Sequence, residues 1–197
     1  LDLPQWTDNL ASGRRLELPP GAIEPLGLEQ PQVRKPLVIA VQGWCLTLGL
    51  ELMLACDVRI AAASTRFSQL EVKRGIYATG GATLRLPDEI GWGRAMRYLL
   101  TGDEIAVQDA LQWGLVQEVV PHGEQLQRAI EMAERIAAQA PLAVQATLRS
   151  ARIARNEGHA AAAARLRPDQ ALLLQSEDAK EGIASFRERR TASFKGC

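Results

Sequence analysis

Two apolar runs of different length set the pattern of the chain. Pro36 introduces Leu37–Val41, which stops at Gln42-Gly43. A short continuous apolar run predicts a strand buried on both faces, as in a parallel sheet with helical crossovers. Gly49 to Cys56 reads as a buried helix and Val58 to Ala62 as the next strand. The order strand, helix, strand argues for an α/β unit. Thr79-Gly80-Gly81 makes a second glycine turn leading into a helix near Thr83. Gly91 to Leu100 reads as helical, Thr101-Gly102-Asp103 as a turn, and Val116 to Val120 as another short strand.

From Glu124 onward the period is helical. Leu126, Ile130, Ala133 and Ala137 recur on one face, with Glu124–Arg128 and Glu131–Arg135 as i,i+4 pairs on the wet side. Pro141 starts a further helix carrying the basic stripe Arg149, Arg152 and Arg155. Ala160 to Ala164 favours helix, and a last helix runs near Asp178 to Arg190. Before Lys35 the pattern is different. Six of the 10 prolines lie within the first 36 residues. Pro4 to Ala11 reads as a short helix with Gly13 beyond it, and 13–35 as a loop. Trp6 either lines a pocket or anchors this loop. The organisation expected is a core over 1–122 and a helical region over 123–197.

Composition narrows the classes. The 197 residues carry 23 basic and 23 acidic side chains, so net charge is zero. Nothing here points to nucleic acid or an anionic membrane surface, and the arginine stripe reads as a solvated face or subunit contact. Cys45, Cys56 and Cys197 have no framework spacing, which fits a reducing, cytoplasmic setting. Cys45 and Cys56 read as small core residues rather than nucleophiles. No stretch reaches the length of a membrane span, and no signal peptide is visible.

Candidate chemistry is reached by elimination. His122 and His159 sit in predicted turns, and G-x-S-x-G is absent, which argues against a hydrolase triad. There is no C-x-x-C or Cys/His cluster for zinc, no phosphate-loop signature, and Gly91-Trp92-Gly93 lacks the third glycine of the dinucleotide fingerprint. Carboxylates and backbone amides remain. Glu51 is the one charge in the apolar run Cys45 to Cys56, and Glu71 follows in the polar segment Ser68-Gln69-Leu70-Glu71. A buried carboxyl has a raised pKa suited to proton transfer near neutrality. The alternative is a structural ion pair of Glu51 with Arg59 or Arg85.

Several spaced motifs then carry a resemblance. They are Lys35-Pro36 through Gln42-Gly43, Gly49-Leu50-Glu51-Leu52, Ala55-Cys56-Asp57-Val58-Arg59, and Phe67 to Ile76 around Glu71. Gly80-Gly81-Ala82-Thr83-Leu84-Arg85-Leu86, Leu100-Thr101-Gly102-Asp103, Gly114-Leu115-Val116 and Val119-Val120-Pro121 complete them in order. Over Lys35 to Val120 the chain resembles the enoyl-CoA hydratase/isomerase (crotonase) superfamily, and more weakly through Phe186 to Arg190 and Phe194-Lys195-Gly196.

The resemblance implies an α/β fold, a crotonase-like ββα spiral with a C-terminal helical trimerisation region, assembled as a homotrimer or as a hexamer made of two trimers. It implies an acyl-CoA substrate, with coenzyme A as part of the substrate and no separate cofactor or metal. Glu51 and Glu71 match the two hydratase carboxylates, Glu51 activating water for attack at C3 and Glu71 delivering a proton at C2. The amides of Leu48 and Leu1 match the oxyanion donors. Asp2, Leu3, Trp6 and Gly49 fall beside them, and Phe186 and Arg189 match positions that contact the CoA nucleotide; a helix-packing phenylalanine with a surface arginine is the other reading of that pair. Leu1-Asp2-Leu3 matches an internal family segment, so the first strands and helix of the spiral are expected to precede Leu1. Thr47 and Leu48 depart from the small residues usual at that turn, and Ala78-Thr79 from Pro-Gly. Hydration is the leading function. A double-bond isomerase or other enolate-forming enzyme is the alternative, and a non-catalytic acyl-CoA-binding scaffold the third.

Overall fold

The structure, a computed structural model, describes Ser12 and residues 18–197. The helix expected at Pro4 to Ala11 lies outside the described residues, as do Leu1, Asp2, Leu3 and Trp6. In chain order the described elements begin with β1 (Val38–Val41), β2 (Trp44–Leu46), α1 (Leu48–Ala55), β3 (Val58–Ala62) and β4 (Arg66–Ser68). A 3₁₀ turn at Glu71–Arg74 follows, then α2 (Ala82–Ile90), α3 (Trp92–Thr101), β5 (Ile105–Ala106), α4 (Val107–Gln112) and β6 (Glu118–Val120). Four helices close the chain: α5 (Gln125–Ala137), α6 (Pro141–Glu157), α7 (His159–Leu173) and α8 (Glu177–Glu188).

Among the described residues the strands form two three-stranded sheets, ordered β1-β3-β6 and β2-β4-β5. β3 runs parallel to β6 and β2 parallel to β4, while β5 is antiparallel to β4. The expected strand at Leu37–Val41 is present as β1 but differs in burial. Val38, Ile39 and Ala40 are half-buried and Val41 is buried, whereas Ile60, Ala61 and Ala62 of β3 are fully covered. β3 is the middle strand, so its neighbours supply the covering that an edge strand lacks. β2, β4 and β5 are two or three residues long. That is too short for an alternating pattern, and only pairing with a distant segment defines them as strands.

The chain divides into two compact units. The first holds the described residues up to Val33 together with Ala40–Gln125, and the second holds Arg34–Ile39 with Leu126–Cys197. In the first, Leu50, Met53, Ile60, Phe67, Leu86, Ile105 and Leu115 form the core. Arg59 is buried there and pairs with Glu89 at 2.5 Å. In the second, Arg149 of the basic stripe is tied to Asp169 of α7 at 2.9 Å. α5 presents its expected apolar stripe differently. Leu126 and Ile130 are 61% and 42% exposed, and Gln125 and Ala129 are the buried positions. Periodicity identifies an apolar face but not the surface that covers it. His159, expected in a turn, opens α7, while His122 does lie in a turn, its Nδ1 3.0 Å from Ser64 Oγ. Among the described residues no helix is long and apolar enough to cross a membrane.

Candidate active site

Parallel pairing of β2 with β4 brings two turns together. Leu46 stands opposite Ser68 at the carboxyl ends of both strands, and the Thr47 amide donates to the Ser68 carbonyl at 3.0 Å. β2 then enters α1, which carries Glu51. β4 runs through Gln69 and Leu70 into the 3₁₀ turn that begins at Glu71. Carboxyl ends of neighbouring parallel strands are where α/β proteins gather their binding loops. A separation of twenty residues in sequence becomes proximity in space for this reason.

Leu48 is the first residue of α1, so no carbonyl inside the helix can accept its amide proton. Thr47 before it has φ 48°, ψ −120°, in the region that favours glycine. A Cβ on Gly49 would meet nothing within 4 Å, so that glycine faces open space beside the free donor. Strain of this kind costs about 1–3 kcal/mol, against about 0.5–1 kcal/mol for glycine's extra unfolded freedom. Thr47→Gly is therefore expected to stabilise the fold by about 1 kcal/mol, read as a higher denaturant midpoint at unchanged slope. A lower midpoint would mean that the threonine side chain compensates for its backbone.

Glu51 is 3% exposed. Its Oε1 accepts from the Ala82 amide at 3.1 Å, and the Gly80 amide also donates to the carboxylate. Those donors stand at the start of α2, where backbone N–H groups converge and the dipole favours negative charge. The ion pair considered above is not what holds it. Arg59 is engaged with Glu89, and the Arg85 guanidinium donates to the carbonyls of Leu26 at 2.6 Å and of Gly80 and Gly27 at 3.4 Å. Burial pushes the Glu51 pKa upward, the two amides pull it back, the Glu71 charge raises it, and the Arg85 charge is the weakest pull downward. The Glu71 charge thus lies near enough to act on Glu51.

Glu71 is also raised, chiefly by burial, with its own backbone amide lowering it. Its Oε2 is buried without a hydrogen-bond partner. It lines a cavity of about 290 Å³ with Gln69, Val72, Tyr77, Ala78 and Thr83 below the α3 residues Trp92 and Met96. Glu51 is not a lining residue of that cavity. It is held against Gly80, two residues from Ala78, which is. A larger concavity of the second unit, about 520 Å³ along Ala143, Val144, Thr147 and Leu148, is lined by no titratable side chain. Phe186 and Arg189 lie at the end of α8 in that second unit. The Phe186 ring is 85% exposed and so does not pack the helix, and Arg189 closes it with φ 54°.

Sequence reasoning did not single out Gly80 and Ala82 as partners of Glu51, or Gln69 as part of the site. Paired glycines ahead of a helix were the available signal for the first two.

The candidate site thus holds a buried and a half-buried carboxyl, both with raised pKa, and the amide that opens α1. The model of the enoyl-CoA hydratase/isomerase family matches residues 20–197. The chain belongs to that family. It is 39% identical over 162 residues to 2,3-dehydroadipyl-CoA hydratase of Escherichia coli K12, covering 82% of this chain and 64% of that protein. It is 37% identical over 198 residues to enoyl-CoA hydratase EchA19 of Mycobacterium tuberculosis, covering 97% and 65% respectively. The chain therefore spans just under two thirds of those relatives. The crystal structure of a probable enoyl-CoA hydratase/isomerase from Mycobacterium abscessus superposes with a TM-score of 0.96 at 49% identity, covering 100% of this chain and 76% of that one.

Proposed function

We propose that this chain carries the acid–base half of an enoyl-CoA hydratase acting on 2-enoyl-CoA thioesters. The observation behind this reading is the delivery of Glu51 and Glu71 to adjacent ends of β2 and β4. Glu51 takes a proton from water as its oxygen bonds to C3. The C2=C3 electrons move toward the thioester carbonyl, and Glu71 gives its proton to C2. The Leu48 amide stabilises the developing oxyanion, a contribution of about 2.7–4 kcal/mol per donor. Leu1, outside the described residues, is proposed as the second donor, with Asp2, Leu3 and Trp6 beside it. Gly49 leaves room for the thioester. Hydratases among the relatives support this assignment.

Coenzyme A enters as part of the substrate, with no further cofactor or metal, in a cytoplasmic setting. Phe186 and Arg189 are proposed as CoA contacts. The exposed apolar side chains of the second unit, among them Leu166, Leu172 and Ile183, support assembly as a trimer or hexamer. The proposed division places the spiral core in 1–122 and the trimerisation helices in 123–197.

The experiment is product analysis. Full-length protein given crotonyl-CoA is expected to bleach the absorbance of the conjugated thioester and yield a product heavier by one water. A second reading, double-bond isomerisation, is favoured by one observation: Glu71 lines the cavity and Glu51 does not. It predicts a product of unchanged mass from a 3-enoyl-CoA. Acyl-CoA binding without any turnover would leave a scaffold protein instead.

A further inference from the structure

Four buried side-chain nitrogen or oxygen atoms have no hydrogen-bond partner among the described residues, and three of them belong to Gln69 and Glu71. Both residues line the 290 Å³ cavity. Gln69 is 3% exposed, yet neither its Nε2 nor its Oε1 is satisfied. Leaving a buried amide unmet is costly, and native structures rarely do so without a reason. The residue is also held firmly. Ser68 Oγ donates to the Gly102 carbonyl at 3.0 Å, and a Cβ on Gly102 would stand 3.1 Å from the Gln69 carbonyl oxygen. The backbone that carries the amide is therefore held in place, and the buried side chain lines the cavity wall.

The remaining lining selects what the amide meets. Val72, Tyr77, Trp92, Met96, Leu99 and Leu100 take an apolar body. The volume stands at the lower end of small-molecule pockets, about 300–1,000 Å³. Gln69 offers one donor group and one acceptor, so its complement must accept and donate. An alkyl chain does neither. A carboxylate only accepts, leaves Oε1 unmet and stands beside the acidic Glu71. A hydroxyl does both from one atom.

We infer that this cavity receives the acyl chain of the substrate and that Gln69 recognises a hydroxyl group carried on that chain beyond C3. This deepens the hydratase reading and rests on it. Gln69 is a specificity residue, and Glu71 keeps its part in proton transfer.

The test compares three 2-enoyl-CoA thioesters of equal length on full-length protein: unsubstituted, hydroxyl-bearing beyond C3, and carboxylate-bearing. Wild type is expected to favour the hydroxyl-bearing substrate in kcat/KM by about tenfold, the value of one neutral hydrogen bond. The carboxylate-bearing substrate is expected to be the poorest. Gln69→Met removes the preference, so that the hydroxyl-bearing and unsubstituted substrates turn over alike, and raises the melting temperature. Should Gln69→Met not fold, Gln69→Asn keeps the amide, shortens its reach and is expected to lose the same preference. A wild type indifferent to the hydroxyl overturns the inference. So does an equal loss on all three substrates, which would assign Gln69 to the reacting water or the scaffold. If no thioester turns over, the hydratase reading fails by itself. Calorimetry with hydroxyl-bearing and plain acyl-CoA thioethers then decides: tighter binding of the first, lost in Gln69→Met, sustains hydroxyl recognition, and equal affinity removes it.

Discussion

Glu71→Gln is expected to slow hydration of an enoyl-CoA by about 10²–10⁴-fold, the range general acid–base groups contribute, while raising the melting temperature at neutral pH. The two effects share one cause. Glu71 is partly withdrawn from water, its Oε2 has no partner, and burial lifts its pKa above the ordinary 4.5. Below pH 4.5 the carboxyl is neutral in both the folded and unfolded chain, so it costs the fold nothing. As pH rises past 4.5 the unfolded chain ionises first. Stability falls until pH passes the raised folded value, and the deficit is constant beyond. Glutamine cannot ionise and escapes this loss. The gain in melting temperature should therefore grow as pH rises from 4.5, level off once pH passes the raised folded value, and shrink toward pH 4.5. Unchanged turnover would remove Glu71 from proton transfer. A melting difference indifferent to pH would remove the buried charge as its cause.

Adding one carbon at Gly80 should do nearly as much damage without replacing an ionisable group. A Cβ there would stand 2.5 Å from Glu51 Oε2 and 2.7 Å from Cδ, closer than real Cβ contacts. Glu51 is buried and carried on a packed helix, so its carboxylate must turn away from the Gly80 and Ala82 amides. Displacement of a reacting group by about 1 Å can cost about 10²-fold. Gly80→Ala is thus expected to lower kcat by about 10²-fold. It should also raise the Glu51 pKa further, since two donors that favour its charged form are weakened; the acid limb of the pH–rate profile then shifts to higher pH. Gly93→Ala is the control. A Cβ at that position in α3 meets nothing within 4 Å, and alanine favours helix by about 1 kcal/mol. Wild-type kinetics in Gly80→Ala would show that turnover does not depend on Glu51 being held at the start of α2.

The ends of the longer elements were legible from residue type and period. Val58–Ala62 matches its expected limits, Pro141 begins its helix, and Gly102 closes α3 in the left-handed region. Glu51 stood out because a charge inside an apolar run must find some compensation. Its compensator was not legible. Arginines were the candidates by charge, and the start of α2, thirty-one residues away, supplies uncharged amides instead. No side-chain pattern marks a backbone donor. Gln69 was equally silent, because a glutamine in a polar segment has ordinary chemistry until its surroundings leave it unmet.

The amino-acid order by itself determined the family and most of the helices and singled out the two candidate carboxylates, since periodicity, capping residues and spaced motifs are local properties. Tertiary structure decided the rest. The three-residue strands β2 and β4 exist only as a pair, and their parallel alignment carries Glu51 and Glu71 to neighbouring ends. Desolvation and hydrogen-bond supply depend on what distant segments bring near. Only the fold could therefore assign Glu51 to backbone amides, leave Glu71 unpartnered at a cavity, and put Gln69 beside it.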